Sequence, residues 1–470
     1  MAGETVSTQA VGPQLGLTDL AEERVLDDLP VEGELPPWLA GSLLRTGPAR
    51  WDVGDRSVNH WFDGLAMLHR FTFGAGGVSY ANRFLRSRAF EAAEREGRLA
   101  YREFATDPCR SAFRRIASVF RPSAELTDNG SVNVHRLGEQ WLSLTETPMP
   151  VEFDPRTLET LGVGPAPPGH HTTAHPHDDG GELWGHAVRF GARSHYLIYA
   201  QRPGERRVVA RHAVRRPAYQ HSFALTPRHA VLAEGCFVAD PLHLALGGRT
   251  FAESFTWDPS RGGRLLAFDR ATGATAGSWE TDPFFCFHHV NAFEDEGDIV
   301  VDLLAFDDAA IVGALALGRL RAGEEVPLPE LRRFRLRGDG GRVTPERLCD
   351  HRFELPVTHY ARVNGRRHRW VWGVGASDGW FDEIVKVDVD TGHATTWRQP
   401  GAYPGEPVLA ARPGGEDEDD GVLLSVVLEP ERGASSLVVL DAATLDELAR
   451  AQVPHHIPFG FHGHFTEEVS

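Results

Sequence analysis

The sequence predicts an all-β fold, a propeller of about seven blades, and three observations carry that expectation. Short runs of alternating apolar and polar residues dominate from about residue 40 onward, as in SVNVHRLGEQWLSLTE (131–146), HSFALTPRHAVLAE (221–234) and RHRWVWGVGA (367–376). Period-2 runs broken by Gly, Pro and Asp read as antiparallel hairpins. Long amphipathic helical patterns are scarce. A turn signature, D-x-x-T-[GL], follows an apolar strand at Asp154, Asp269, Asp388 and Asp441. Its intervals of 115, 119 and 53 residues are close to two, two and one unit of about 57. A propeller blade takes about 40–50 residues before insertions, so seven would fill most of the chain. D-x-x-T-G is also a common hairpin turn, and four copies alone leave chance repetition open.

In chain order, the N-terminus MAGETVSTQAVGPQLG has neither a basic region nor an apolar core, so no signal peptide is expected. Residues 1–25 read as an N-terminal extension and 26–470 as a single propeller domain with inserted cap segments. No run of 18 apolar residues occurs, so no membrane span is expected. The β pattern is interrupted at DPCRSAFRRIASVFR (107–121), where Cys109, Ala112, Phe113, Ile116 and Phe120 fall at helical spacing and four arginines mostly take the other side. That spacing predicts a short basic amphipathic helix, suited either to packing on the propeller or to docking Phe113, Ile116 and Phe120 at a membrane surface. At each D-x-x-T-[GL] turn the Asp side chain opens the turn and Gly supplies a positive φ. The acidic run Glu416–Asp420 reads as a solvated loop and not a metal site, because adjacent carboxylates in one loop mostly face water.

Composition excludes several classes. Hydrophobic residues make up 41% and charged residues 24%, as in ordinary globular proteins. Forty-eight cationic against 66 anionic side chains leave a net charge of −18, which argues against nucleic-acid binding. Lys386 is the one lysine, so lysine chemistry such as Schiff bases is not expected. Cys109, Cys236, Cys286 and Cys349 form no C-x-x-C pair, which fits free or buried thiols in a reducing compartment, here the cytoplasm. No obligate protein partner is implied.

Histidine is the unusual entry in the composition, with 23 copies. They cluster in HHTTAHPH (170–177), HSFALT (221–226), FHHVNAFED (287–295) and FGFHGHF (459–465). Imidazole is the commonest protein metal ligand, and an all-imidazole set suits Zn, Cu, Fe or Ni better than Mg or Ca. The spacing matches no local metal motif, and any one of these histidines could equally be structural.

These four runs resemble the four histidine motifs of the carotenoid cleavage oxygenase family, whose members are seven-bladed propellers with non-haem Fe(II) on the axis. The resemblance selects His175 in T-A-H-P, His221 in H-S-F-A-L-T, His288 in F-H-x-x-N-A and His462 in F-H-G as metal ligands. GSLLRTGP (41–48) and HWFDGLAMLHRFTF (60–73) resemble the family's N-terminal signature, although Leu65 and Ala66 stand where an acidic–glycine pair is frequent. Counterparts of NRFLRS, EFATDPC, LTET, FELP, YPGEP and DDGVLLSVV extend the match from about residue 40 to 465. Glu146, Glu354 and Glu406 occupy matched positions, and the family pattern implies that they orient His221, His288 and His462, leaving His175 without a carboxylate. A carboxylate of this kind fixes the imidazole's tautomer and ring orientation.

What the resemblance implies is a cap of loops and short helices over the axial metal site, one Fe(2+) per chain, and O2 as co-substrate. An apolar polyene cannot ligate a metal, so it must be positioned by a tunnel of aromatic and aliphatic walls. By matched position, Phe104 and Thr145 are the candidates for that wall. The resemblance is to the branch of β-carotene oxygenases and the retinal pigment epithelium isomerohydrolase. The expected reaction is cleavage of one C=C bond of a carotenoid or apocarotenoid by O2 to aldehydes, retinal among them. The alternatives are a redox-neutral retinoid ester isomerohydrolase and a stilbenoid-cleaving dioxygenase. The second is demoted because stilbene-cleaving relatives carry a lysine in the strand where this chain has Thr145 and Glu146. Peripheral attachment to a membrane surface follows from the lipid-soluble substrate and the 107–121 segment.

Overall fold

The alternating runs close into a ring. The computed structural model describes residues 12–74, 77–107, 126–240, 244, 249–377 and 379–469. Among these, the strands form seven sheets of four to six strands, beside two small two-stranded ribbons. Each sheet is a blade. In blade 2 the order is Asn133–Leu137, Gln140–Leu144, Val151–Phe153 and Thr160–Val163; in blade 6 it is Phe353–Val357, Trp370–Gly375, Glu383–Asp388 and Ala394–Arg398. The strands nearest the axis are His171–Thr172 with His177–Asp179 in blade 3, Ala224–Leu225 in blade 4 and His289–Asp295 in blade 5. In blade 7 they are Tyr403–Pro404 with Val408–Ala411, and in blade 1 Gly463–Thr466. Inner strands of neighbouring blades touch, blade 4 with 5, 5 with 6, 7 with 1, and 1 with 2.

Both chain ends close the ring. Gly463–Thr466 pairs with Gly41–Arg50 in blade 1, setting Leu43 against Phe465. Val31–Gly33 pairs with Glu447–Gln452 in blade 7, setting Val31 against Ala451. The extension expected over residues 1–25 is therefore shorter than drawn from the sequence. Leu17 is buried in the main apolar cluster, the Leu20 amide donates to the Ala49 carbonyl at 2.8 Å, and Arg24–Leu26 pairs with Gly77–Phe84. Two isolated leucines in a polar context gave no periodic signal of that packing.

Burial explains which strands alternate and which do not. Gly421–Glu429, in the middle of blade 7, is buried at every position after the first. A strand covered on both faces reads as a continuous apolar run. The outer strand Glu205–Val214 is largely exposed and carries Arg206, Arg207 and Arg211.

The repeated turn is real. Asp154, Asp269, Asp388 and Asp441 each close the outer hairpin of a blade, in blades 2, 4, 6 and 7, so the intervals of two, two and one units count blades. The Asp441 Oδ1 accepts from the amides of Ala443 and Thr444, both at 2.9 Å, and Asp269 Oδ1 from Ala271 and Thr272 at 3.1 and 2.7 Å. The fifth position of the signature has a positive φ in all four turns: Leu158 58°, Gly273 74°, Gly392 74° and Leu445 64°. Two are leucines, not glycines. Their side chains are 1% and 4% exposed, so apolar burial holds a conformation that Cβ disfavours.

The acidic run is not simply solvated. Glu418 accepts from the amides of Arg369 and Trp370, and Asp419 pairs with the buried Lys386, so the loop stitches blade 7 to blade 6. Cys236, Cys286 and Cys349 are buried free thiols. Residues 108–125, with Phe113, Ile116 and Phe120, lie outside the described residues. Among the described residues, no helix is long and apolar enough to cross a membrane.

Candidate metal centre

Each blade brings one chemistry-bearing residue towards the axis. His175 lies between the two inner segments of blade 3, while His221, His288 and His462 stand just ahead of the inner strands of blades 4, 5 and 1. Blade 6 contributes Glu354 from its inner strand, blade 7 contributes Glu406 from between its two inner segments, and blade 2 contributes Glu146 from the loop after Gln140–Leu144. Backbone ties fix the registers. The Thr173 hydroxyl donates to the His221 carbonyl and accepts from the His175 amide, both at 2.9 Å. The Ser222 hydroxyl donates to the Phe287 carbonyl at 2.7 Å and accepts from the His289 amide at 2.9 Å.

The four imidazoles converge, with one ring nitrogen of each lying within 4.8 Å of the others. His175 Nε2 is 2.9 Å from His221 Nε2, and His288 Nε2 is 3.3 Å from His462 Nε2. Three of the rings are anchored behind by carboxylates. His221 Nδ1 donates to Glu146 at 2.7 Å, His288 Nδ1 to Glu354 at 2.6 Å and His462 Nδ1 to Glu406 at 2.7 Å. His175 has no carboxylate partner among the described residues.

These bonds fix the tautomers. An ionised carboxylate only accepts, so each Nδ1 carries the proton and each Nε2 presents a bare lone pair inward. His288 and His462 therefore aim two acceptors at each other across 3.3 Å, with no proton between them. Such an arrangement is repulsive unless a cation sits there. Two imidazoles bound at right angles to one ion, each at about 2.1 Å, stand about 3 Å apart. The donor set thus fits a borderline divalent transition ion, with no thiolate and no carboxylate in the inner ring.

At His175, His221, Glu146 and Glu354 the electrostatics agree with neutral rings and charged carboxylates. Burial, then the neighbouring imidazoles, pushes His175 well below the usual histidine range. Burial also lowers His221, partly offset by Glu146. Burial alone would raise Glu146, but His171, His221 and Tyr219 outweigh it and hold the carboxyl below its ordinary value. Glu354 behaves likewise through burial opposed by His288 and the Leu355 amide.

Beside the imidazoles opens an apolar cavity. Trp61, Phe62, Phe287, Phe306, Phe381 and Phe461 give it aromatic walls, and Ile311, Leu315, Val326, Pro327 and Leu328 complete them. Among the described residues, its only ionisable lining side chains are His221, His288, His462 and Glu354. Phe104 and Thr145, expected in this wall, are not among its lining residues. Phe104 stands one layer back, 5.4 Å from the Phe62 ring, and Thr145 is half-buried beside Glu146. Matched position located the region but not the layer. Phe287 and Phe461 directly precede His288 and His462, and that adjacency was the available signal. Tyr219, whose hydroxyl donates to Glu146 at 2.7 Å, also went unread, two residues ahead of His221.

A family model described as RPE65, retinal pigment epithelial membrane protein, matches residues 17–467. The chain belongs to that family. Within the RPE65 family and its relatives, it is 33% identical to the mitochondrial carotenoid-cleaving dioxygenase of Macaca fascicularis, over 93% of this chain and 91% of that one. It is 36% identical to the chloroplastic carotenoid cleavage dioxygenase 8 homolog A of Oryza sativa, over 95% and 86%. Among solved structures, cobalt-substituted Synechocystis apocarotenoid oxygenase superposes with a TM-score of 0.86 at 27% identity, covering 97% of this chain and 99% of that one.

Proposed function

We propose that the protein is a non-haem iron dioxygenase that cleaves one C=C bond of a carotenoid or apocarotenoid with O2, giving two carbonyl products. The observation that carries this is a neutral four-imidazole centre opening onto an apolar, aromatic-walled cavity. The relatives named above point to the same substrates. His175, His221, His288 and His462 would hold the ion, and Fe(2+) in that place supplies the one-electron chemistry that O2 requires.

The chain's own contribution is placement. Glu146, Glu354 and Glu406 hold three rings in the tautomer that leaves Nε2 free. Phe62, Phe287 and Phe461 exclude water and hold a polyene flat against the centre. The atoms balance without further reductant, since one C=C and one O2 give two C=O groups. With β-carotene cut at its central bond, both would be retinal.

Neither alternative is favoured. The relatives are named as cleaving enzymes, not as ester hydrolases. Lys386 serves no substrate, because it lies buried in an outer position of blade 6, bound to Asp419 and the Ala443 carbonyl. Attachment at a membrane surface, with the protein otherwise in the cytoplasm, belongs to the same proposal, and liposome flotation of wild type against Phe113→Asp tests it.

The deciding experiment is product analysis by HPLC–mass spectrometry after incubating iron-loaded protein with β-carotene or an apocarotenal, with and without O2. Oxygen-dependent aldehydes support the reading, and their lengths identify the bond. His288→Ala should lose iron and activity together. Cleavage retained by that variant would sink the assignment.

A further inference from the structure

The three carboxylates behind the imidazoles are not held alike. Glu406 is fixed by the backbone, its second oxygen accepting from the Gly463 amide at 2.9 Å. Glu354 is fixed by the backbone too, through the Leu355 amide at 2.6 Å. Among the described residues, Glu146 has no such amide on its carboxylate. Its Oε2 accepts from the Tyr219 hydroxyl at 2.7 Å while Oε1 accepts from His221 Nδ1 at 2.7 Å. A competitor stands close by, since His171 Nε2 lies 4.0 Å from Glu146 Oε1 and donates to the Gln220 carbonyl at 2.9 Å.

We infer that Tyr219 is a positioning residue for the metal centre, keeping Glu146 on His221 and away from His171. The inference rests on the metal reading above and adds a side chain that does not touch the cavity. Its ring is clamped, stacked on Phe285 at 6.0 Å and 17°, edge-on to Phe255 at 5.8 Å and to Phe104 at 5.9 Å. The Tyr219 amide is tied to the Phe237 carbonyl at 2.8 Å. A phenol locked on all sides holds its donor at one point, which a flexible hydroxyl could not do. Without that donor, Glu146 keeps a buried oxygen with no partner. The carboxylate can then turn to compete with the Gln220 carbonyl for the His171 Nε2–H, and His221 loses the acceptor that fixes its tautomer. Phe251 packs on His171 at 5.2 Å and on Phe104 at 6.0 Å, so one aromatic cluster borders both His171 and Tyr219.

Tyr219→Phe tests this, because it keeps every ring contact and removes one oxygen. Metal affinity is read by titrating Fe(II) and Co(II) against a chromophoric chelator, and geometry by the Co(II) d–d spectrum, neither of which needs turnover. The variant is expected to bind about tenfold more weakly, at the lower end of the loss seen for outer partners of metal ligands. Its Co(II) bands should shift, and kcat should fall while KM for the polyene stays unchanged. In a Glu146→Gln background the same substitution should add less than about twofold, since residues acting through one another are not additive. Wild-type affinity and spectrum in Tyr219→Phe, or full additivity with Glu146→Gln, would overturn the inference. If Tyr219→Phe does not fold, 3-fluorotyrosine at 219 retains ring and donor but makes the donor more acidic. An unchanged Co(II) spectrum there would likewise overturn it. Wild type that binds neither metal would instead defeat the metal reading itself.

Discussion

Asp63 closes the short turn that carries Trp61 and Phe62 into the cavity wall, and its burial makes stability depend on pH. The carboxyl is fully buried and accepts from the Thr106 hydroxyl at 2.6 Å and the Ala105 amide at 3.1 Å. Burial raises its pKa to about 7, with these bonds pulling the other way. Glu103, bonded to the Thr127 hydroxyl at 2.7 Å, is raised by burial and by Asp63. A carboxyl whose folded pKa exceeds its unfolded one favours the folded state fully below the unfolded value. That advantage is lost as pH rises towards the folded value, here between about pH 4 and 7. From pH 5 to 8 the loss for Asp63 alone comes to about 2–3 kcal/mol. At about 2 cal/mol/K per residue the chain's unfolding entropy is about 1 kcal/mol/K, so Tm should fall by about 2–3 °C. Asp63→Asn cannot ionise and keeps an acceptor. The assay is thermal unfolding of both proteins at pH 5, 6, 7 and 8. Wild type minus variant should become more negative by that amount across the series. A constant difference would refute the reasoning, because contributions from groups that do not interact with Asp63 cancel in it, and Glu103, which Asp63 raises, shifts the difference in the same direction.

Glu406→Gln should weaken Fe(II) binding about 10- to 100-fold, since the amide cannot both accept from His462 and satisfy the Gly463 N–H as a carboxylate does; chelator competition reads this directly. Leu445→Gly relieves a left-handed backbone worth about 1–2 kcal/mol but removes a buried leucine worth about 2–5 kcal/mol, so the net is destabilisation, measured as a lower Tm. A higher Tm would mean that backbone strain, not packing, dominates that turn. Stripping the metal should speed amide exchange in Gly463–Thr466, which follows His462 and closes blade 1, while His229–Glu234 in blade 4 stays protected.

Much of the architecture was legible because hairpins advertise themselves locally. Period-2 runs and Asp-opened turns need no distant partner, and the intervals at Asp154, Asp269, Asp388 and Asp441 count blades correctly. The site was legible differently. The intervals between His175, His221, His288 and His462 carry no geometric meaning in a linear chain, and only resemblance chose among neighbouring histidines. His289 shows why composition could not. It follows His288 directly, yet its Nδ1 shares a hydrogen bond with the Ser222 hydroxyl at 2.9 Å, so two successive residues face different surroundings. Leu17 and Leu20 were missed because a few apolar contacts made by an irregular segment leave no period. Phe62 lines the cavity while Phe104 packs behind it, and sequence does not say which ring is in front.

A propeller answers a specific chemical demand here. Four imidazoles with no charged ligand need rigid placement, since neutral donors bring no Coulomb attraction to draw them together in the absence of an ion. Seven inner strands around one axis supply that placement, and the blades divide the work. Those that do not give an imidazole give the glutamate that aims one, with Glu354 and Glu406 filling the gap between His288 and His462. The negative charge that stabilises a divalent ion is thereby kept one bond behind the rings. The inner positions stay open to neutral ligands and to an apolar molecule in the Phe62–Phe287–Phe461 cavity. His175, the one ring of the four without a carboxylate among the described residues, is ordered by other means. Its amide is held by Thr173, and its ring packs edge-on against His288 and His462 at 5.1 and 4.5 Å. Its position therefore depends on the other three more than theirs depend on it, which makes it the ligand most sensitive to disturbance elsewhere in the ring.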